Sequence, residues 1–172
     1  LVRTERSFHE GGQGNKSTYT TFEYDAYGNV NRFTDAGDEG SDDDVEALIN
    51  YSVSCTDRHI VGKPLDITVI ASGGVMRQRQ GDIDCASGNL TQLRQAIGKG
   101  EVAQTDLAYY PDGNLRSVTG PANLKGQRYA LDYAYDPAVA THVVETSDSF
   151  GYRSTATYDY RFGKPLSTTD LN

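Results

Sequence analysis

Tryptophan is absent from these 172 residues, methionine occurs once, and no apolar run approaches the roughly 18 residues that a membrane-crossing helix needs. Nothing resembles a signal peptide. Basic side chains are scarce too: 16 stand against 24 acidic ones, a formal charge of −8. That balance argues against a surface that must neutralise nucleic-acid phosphates, and it disfavours an anionic membrane surface for the same reason. The segment is therefore expected neither to bind nucleic acid nor to insert into a membrane. Cysteine is limited to Cys55 and Cys85, which match neither a zinc pattern nor a redox CxxC motif. Two separate, partly buried thiols are expected; a disulfide would require adjacent repeats to bring the two Cα atoms within about 7 Å. Helix formers in 3.6-residue register are wanting as well, so a helical fold has no basis in the pattern.

What is present instead is tyrosine, used 12 times, with abundant Thr, Ser and Gly, a mix that suits short half-buried strands joined by turns. Turn glycines recur at Gly28 (YGNV), Gly62 (VGKPL), Gly88 (SGNL), Gly113 (DGNL) and Gly163 (FGKPL), at intervals of 34, 26, 25 and 50 residues. A period of about 25 residues accounts for all of them. The first interval carries an acidic insertion at residues 38–46, and the last spans a degenerate turn at YDPAVAT, residues 135–141. Alternating runs precede the turns: Tyr129, Leu131, Tyr133 and Tyr135 share one strand face, as do Tyr152, Ala156, Tyr158 and Tyr160. The aromatic face is expected to turn toward a packed layer. Short runs such as NVNRFTD and KPLDITVI follow the turns, so each unit reads as a hairpin, and Pro64 and Pro165 fit only near a strand start or on an edge. An isolated hairpin is marginal in water, so the units are expected to stack side by side.

These residues resemble a known family. The turns Tyr24-Asp25…Gly28-Asn29 and Tyr109…Gly113-Asn114, the elements Gly88-Asn89 and Tyr135-Asp136, and the ending Tyr158-Asp159…Gly163 are similar to Rhs or YD repeats. The match is nearest to those in B-component proteins of insecticidal toxin complexes and their virulence-plasmid relatives. It runs from about Thr18 to Asn172. The resemblance implies an all-β array of antiparallel hairpins forming a curved, twisted sheet, one segment of a larger hollow shell. In that family the shell encloses a toxic C-terminal polypeptide and docks to a delivery machine. It further implies, as partners, flanking YD repeats of the same polypeptide, the enclosed toxin domain and other toxin-complex components, in a secreted or cell-surface setting. An extracellular adhesive or carbohydrate-binding module is the alternative. Several units depart from the pattern: Asp84 is read at the tyrosine position before SGNL, Tyr110 replaces the Asp of YD, and the turn after Asp136 lacks Gly-Asn. Residues 1–17 read as a lead-in with a glycine-rich joint at GGQG, and residues 18–172 as the array. Because the chain opens at Leu1 and stops in mid-unit at STTDLN, it is expected to be part of a much longer protein.

Residues that could carry chemistry are few. Residues 35–46, DAGDEGSDDDVE, put Asp35, Gly40 and Glu46 at positions 1, 6 and 12 of a calcium-type loop, but Gly37 stands at position 3 and no helix flanks either end. A solvated acidic hairpin loop is the preferred reading. His9, His59 and His142 occur in unrelated contexts, no serine lies in a G-x-S-x-G elbow, and VGKP and FGKP lack the rest of a P-loop. Asp82 and Asp84 share a strand face without a pocket signal. No catalytic residue, cofactor or metal is assigned, and the chain is expected not to be an enzyme.

Overall fold

Alternating runs between turn residues become strands throughout. The computed structural model describes residues 1–9, 11, 16–38, 40–52 and 54–170. Most of the expected joint at residues 11–14 lies outside them. The strands are β1 Val2–Phe8, β2 Lys16–Tyr24, β3 Val30–Ala36, β4 Val45–Tyr51, β5 Pro64–Ala71, β6 Gly74–Ile83 and β7 Leu90–Gly98. They continue as β8 Glu101–Tyr109, β9 Leu115–Ala122, β10 Arg128–Tyr135, β11 Val143–Asp148, β12 Arg153–Asp159 and β13 Lys164–Thr169. A short 3-10 helix, Thr56–Arg58, interrupts the β4–β5 connection. The architecture is all-β: the 13 strands form one open antiparallel sheet whose order follows the chain from β1 to β13. Residues of the expected lead-in thus supply β1, paired in register with β2.

Two compact units make up the chain, Leu1–Gly88 with Arg94–Val102 and Asn89–Leu93 with Ala103–Asn172. In the first, cross-strand registers align Phe22, Phe33, Ala47 and Val69 in one row, with Ile49 opposite Ile67 on the same face. The Phe22 and Phe33 rings lie 5.2 Å apart. The opposite face carries Thr21, Thr34 and Glu46 in one row and Arg32, Leu48, Thr68 and Gln78 in the next. In the second unit Leu107, Val118 and Leu131 align on one face, while Ala108, Ser117, Asp132, Ser147 and Arg153 line the other. Period-2 alternation therefore separates these apolar rows from the polar ones, since a strand presents successive residues to opposite faces, while the rows end on Arg77 and Arg79 of β6 in the first unit and on Asp148 in the second.

No second layer forms in either unit among the described residues, so these apolar faces stay half-buried. Ala36, Ser52, Cys55 and Asp136 are the side chains given full burial, and three of them sit at or beside turns. The expected packed tyrosine face is only partly realised. Tyr133, Tyr135 and Tyr158 are half-buried, but Tyr24 is 46% exposed, Tyr129 43%, Tyr152 64% and Tyr160 50%. Backbone bulges at Arg128/Ala130 and Ala134/Tyr135 break the strict alternation of β10, which a period-2 count does not see. Cys55 and Cys85 also depart from the expectation of separate thiols: they form a disulfide, with Cα atoms 5.1 Å apart. The physical reason is that the β4–β5 connection lies against the β6–β7 turn, where Ile60 packs beside Gly88.

Candidate functional site

The signature residues build turns with two hydrogen-bond schemes, the first shared by residues 25–29 and 110–114 and the second by the turns that begin at Asp84, Asp136 and Asp159. In residues 25–29 the Asp25 N–H donates to Asn29 O, the Gly28 N–H donates to Asp25 O, and Gly28 takes φ +86°. This is a three-residue hairpin loop with glycine in the left-handed position. Residues 110–114 repeat it, with Gly113 in the glycine's place. The aspartate side chain fixes the loop from within. Asp25 Oδ1 accepts the Tyr27 and Asn29 N–H groups, both at 2.9 Å. Asparagine then completes the motif by reaching out of it. Asn29 Nδ2 donates to Asp25 Oδ2 at 2.9 Å and to Val61 O, in the connection after next along the first unit, at 2.8 Å. Asn114 Nδ2 does the same with Asp112 Oδ2 at 3.2 Å and, in the turn after next of the second unit, Ala140 O at 2.6 Å.

Tyrosines reach the other way. Tyr51 ends β4 and donates its hydroxyl to Val30 O at the start of β3; Tyr109 ends β8 and donates to Leu90 O at the start of β7. Burial raises the pKa of both phenols above the usual value, with the Asp25 charge adding to the effect at Tyr51. Tyr135 meets Tyr110 edge to face at 6.2 Å, and Tyr158 stacks on His142 at 4.5 Å. Each of these tyrosines touches the turn before its own. Tyr24 has no signature turn ahead of it among the described residues, and it is exposed.

The departures resolve in the same terms. Asp84 is the turn aspartate: its carbonyl accepts the Gly88 N–H, as Asp159 O accepts that of Gly163, and its carboxylate accepts the Ala86 N–H and the Ser87 hydroxyl. The tyrosine position before it is held by Ile83. Tyr110 takes the place of Asp25 in the backbone scheme, and the side-chain role passes to Asp112, which accepts the Asn114 N–H. In residues 136–142 Ala140, at φ +51°, occupies the position that Gly88 and Gly163 hold in theirs. Asp136 is 1% exposed. Burial opposes its ionisation, but the N–H groups of His142, Val139, Thr141 and Ala138 outweigh that and lower its pKa to about 2. Gly62 is not a left-handed turn glycine. His59 supplies the positive φ in that connection, and a Cβ on Gly62 would lie 3.4 Å from Asn29 Oδ1. Asn89 stands between the Gly88 turn and β7.

Two further turns of the same design escape a count based on Tyr-Asp. Residues 123–127 and 148–152 show the same paired backbone bonds, capped by Asn123 Oδ1 and Asp148 Oδ1. The D/N-x-x-G spacing in NLKGQ and DSFGY is the signal that finds them.

Elsewhere several acidic side chains have protein partners. Residues 37–44 bridge β3 and β4; Asp35 pairs with Val45 across the strands, Glu46 engages Arg32, Lys16 bonds Asp38 at 2.6 Å, and Asp43 and Asp44 accept backbone N–H groups. Both carboxylates at the ends of the calcium-type spacing thus lie on paired strands. Asp82 forms a two-pronged bond with Arg94, which lowers its pKa, and Asp84 faces its own turn instead of joining Asp82. Among the described residues no group of three His, Cys, Asp or Glu side chains is placed to hold a metal, and no helix is long and apolar enough to cross a membrane.

No family model matches this sequence, and no curated protein matches it. Among solved structures, the fold is similar to that of the Photorhabdus luminescens Tc holotoxin pore, with a TM-score of 0.60, 17% identity, and coverage of 95% of this chain but 9% of that one. A porin-like protein from Bacteroides uniformis is similar at a TM-score of 0.42 and 15% identity, over 91% of this chain and 60% of that one, a likeness too weak to carry an argument. The chain thus shares its fold with a small part of a toxin complex. That likeness agrees with the resemblance carried by its turns.

Proposed function

We propose that this chain is a non-catalytic wall segment of a toxin-complex-type protein, part of a β-shell that encloses a toxic C-terminal polypeptide and helps deliver it. The observation that carries this reading is the fold likeness over 95% of the chain to a toxin holotoxin. The anatomy of the units supports it. A one-layer sheet with an apolar and a polar face, and with turns that clasp the turns before and after them, suits a wall that continues by repetition. Among the described residues, strands β1 and β13 each pair with one neighbour, and further repeats of the same polypeptide would suit their other edges. Other toxin-complex components would dock to the assembled shell. The disulfide between Cys55 and Cys85 fits a secreted or cell-surface setting, where such bonds persist. Electron microscopy of the full-length protein tests the reading. The expected result is a hollow particle with density inside and this segment traced in its wall; an extended rod or a flat, solvent-filled sheet would overturn it.

The exposed rings favour a second reading, an adhesive or carbohydrate-binding surface. A glycan array probed with the 172-residue chain discriminates: saturable binding to a defined glycan supports the surface module, and its absence at millimolar sugar counts against it.

A further inference from the structure

At the end of β10–β12 that carries the Asp148 turn, the second unit holds a pocket of about 130 Å³ lined by Tyr129, Leu131, Tyr152, Ser154 and residues 146–148. Its volume is well below the roughly 300 Å³ at which drug-sized sites begin, so it has room for one small headgroup. Two phenol rings line it while remaining 43% and 64% exposed, and the Phe150 ring, 75% exposed, packs beside Tyr129 at 5.8 Å. Such rings are costly to leave against water unless something covers them.

The carboxylate decides what kind of ligand fits. Asp148 Oδ1 already accepts the Phe150 and Tyr152 N–H groups at 2.9 Å, and Oδ2 accepts the Tyr129 hydroxyl at 3.2 Å. Burial, and then the Asp148 charge, raise the Tyr129 pKa, so that hydroxyl stays protonated and committed to the carboxylate. With three of its acceptor positions engaged, the Asp148 carboxylate offers the pocket charge beside two aromatic rings more than free acceptors. A sugar draws no gain from the net charge, and methyl glucoside is the control for the hydroxyls of Thr146 and Tyr152 in the lining. A cation that forms no hydrogen bonds needs only charge and ring quadrupoles, and aromatic recognition of quaternary ammonium groups rests on those two terms. The arginines of these strands are engaged elsewhere, Arg153 with Glu145 and Arg128 with Asp106. The chain's charge of −8 adds a long-range attraction of the same sign. We infer that the Tyr129–Asp148–Tyr152 pocket is a subsite for a trimethylammonium group of the choline type, free or presented as a lipid headgroup.

Because the chain has no tryptophan, binding can be followed by tyrosine emission, to which Tyr129 and Tyr152 contribute among 12 tyrosines, with Tyr152→Ala separating the pocket's share. Titrations of the 172-residue chain with tetramethylammonium, choline and phosphatidylcholine vesicles would be compared with sodium chloride, ammonium chloride and methyl glucoside at matched ionic strength. Saturable quenching by tetramethylammonium and choline is expected; a vesicle response assigns the group to a lipid source, and its absence assigns it to the free ligand. Asp148→Asn should weaken binding at least tenfold with the fold intact, since Asn123 caps the sister turn at residues 123–127 in the same way. Tyr152→Ala should weaken it similarly. The inference fails if the response is non-saturable, if ammonium or methyl glucoside matches choline, or if folded Asp148→Asn binds as the parent does.

Discussion

Asp136 shows how much one side chain can organise. Four N–H groups converge on its carboxylate and make it the buried centre of a turn that has lost its glycine. Its pKa in the fold is about 2 against an ordinary 3.8, so its stabilising contribution is complete above about pH 4 and is lost as the pH falls toward 2. A urea midpoint measured across that window should fall steeply in the parent and less so in Asp136→Asn, which has no carboxylate to protonate; parallel curves would show that the N–H contacts do not tune this group. Ala140 is the complementary case, an ordinary residue held at φ +51°. Replacing it with glycine removes a left-handed strain of about 1–2 kcal/mol and adds unfolded-chain entropy, for a net gain of about 0.5–1 kcal/mol by chemical denaturation. The degenerate turn is legible from its Tyr-Asp pair and its spacing alone. The residue that would adopt the left-handed conformation is not, because nothing local marks alanine for it.

Among the elements, the turns do more than reverse the chain. Asn29 and Asn114 each give one amide hydrogen to their own turn and one to the connection after next, so loss of either should cost more than a hairpin substitution usually does. Asn29→Ala and Asn114→Ala should each destabilise by about 1–2 kcal/mol. Gln127, whose side chain bonds only within its own turn, should cost about 0.5 kcal/mol or less on truncation; equal losses at the three sites would show that the bonds between turns contribute nothing. The disulfide joins connections 30 residues apart, and its removal by Cys55→Ser with Cys85→Ser should cost about 2–4 kcal/mol in the same assay. The repeat period, the hairpins and the Gly-Asn turns are readable because each is a local pattern. The tyrosine hydroxyl bonds of Tyr51 and Tyr109, the Cys55–Cys85 pairing and the aligned role of Asp84 are not, since each depends on which turn lies beside which. Glycine spacing alone also assigns Gly62 a turn that His59 makes.

For the whole molecule, the unresolved demand is the apolar side of each unit. Phe22, Phe33, Ile49, Ile67 and Val69 in one, and Leu107, Val118 and Leu131 in the other, are half-covered, as one layer of sheet allows. In the proposed shell, a wall around an enclosed polypeptide would satisfy that demand if the apolar face of each unit turned inward. All-β architecture is legible from alternation and turns, whereas the partner of each apolar face is not, because sequence spacing does not encode what a face meets. The most direct test is paired cysteine labelling of the full-length protein at Val69→Cys and Thr68→Cys, neighbours on β5 that point to opposite faces. With a maleimide carrying a bulky polyethylene glycol, Thr68→Cys should label rapidly and Val69→Cys should stay protected until the particle is opened. Equal labelling at both positions in the intact particle would contradict an enclosing wall.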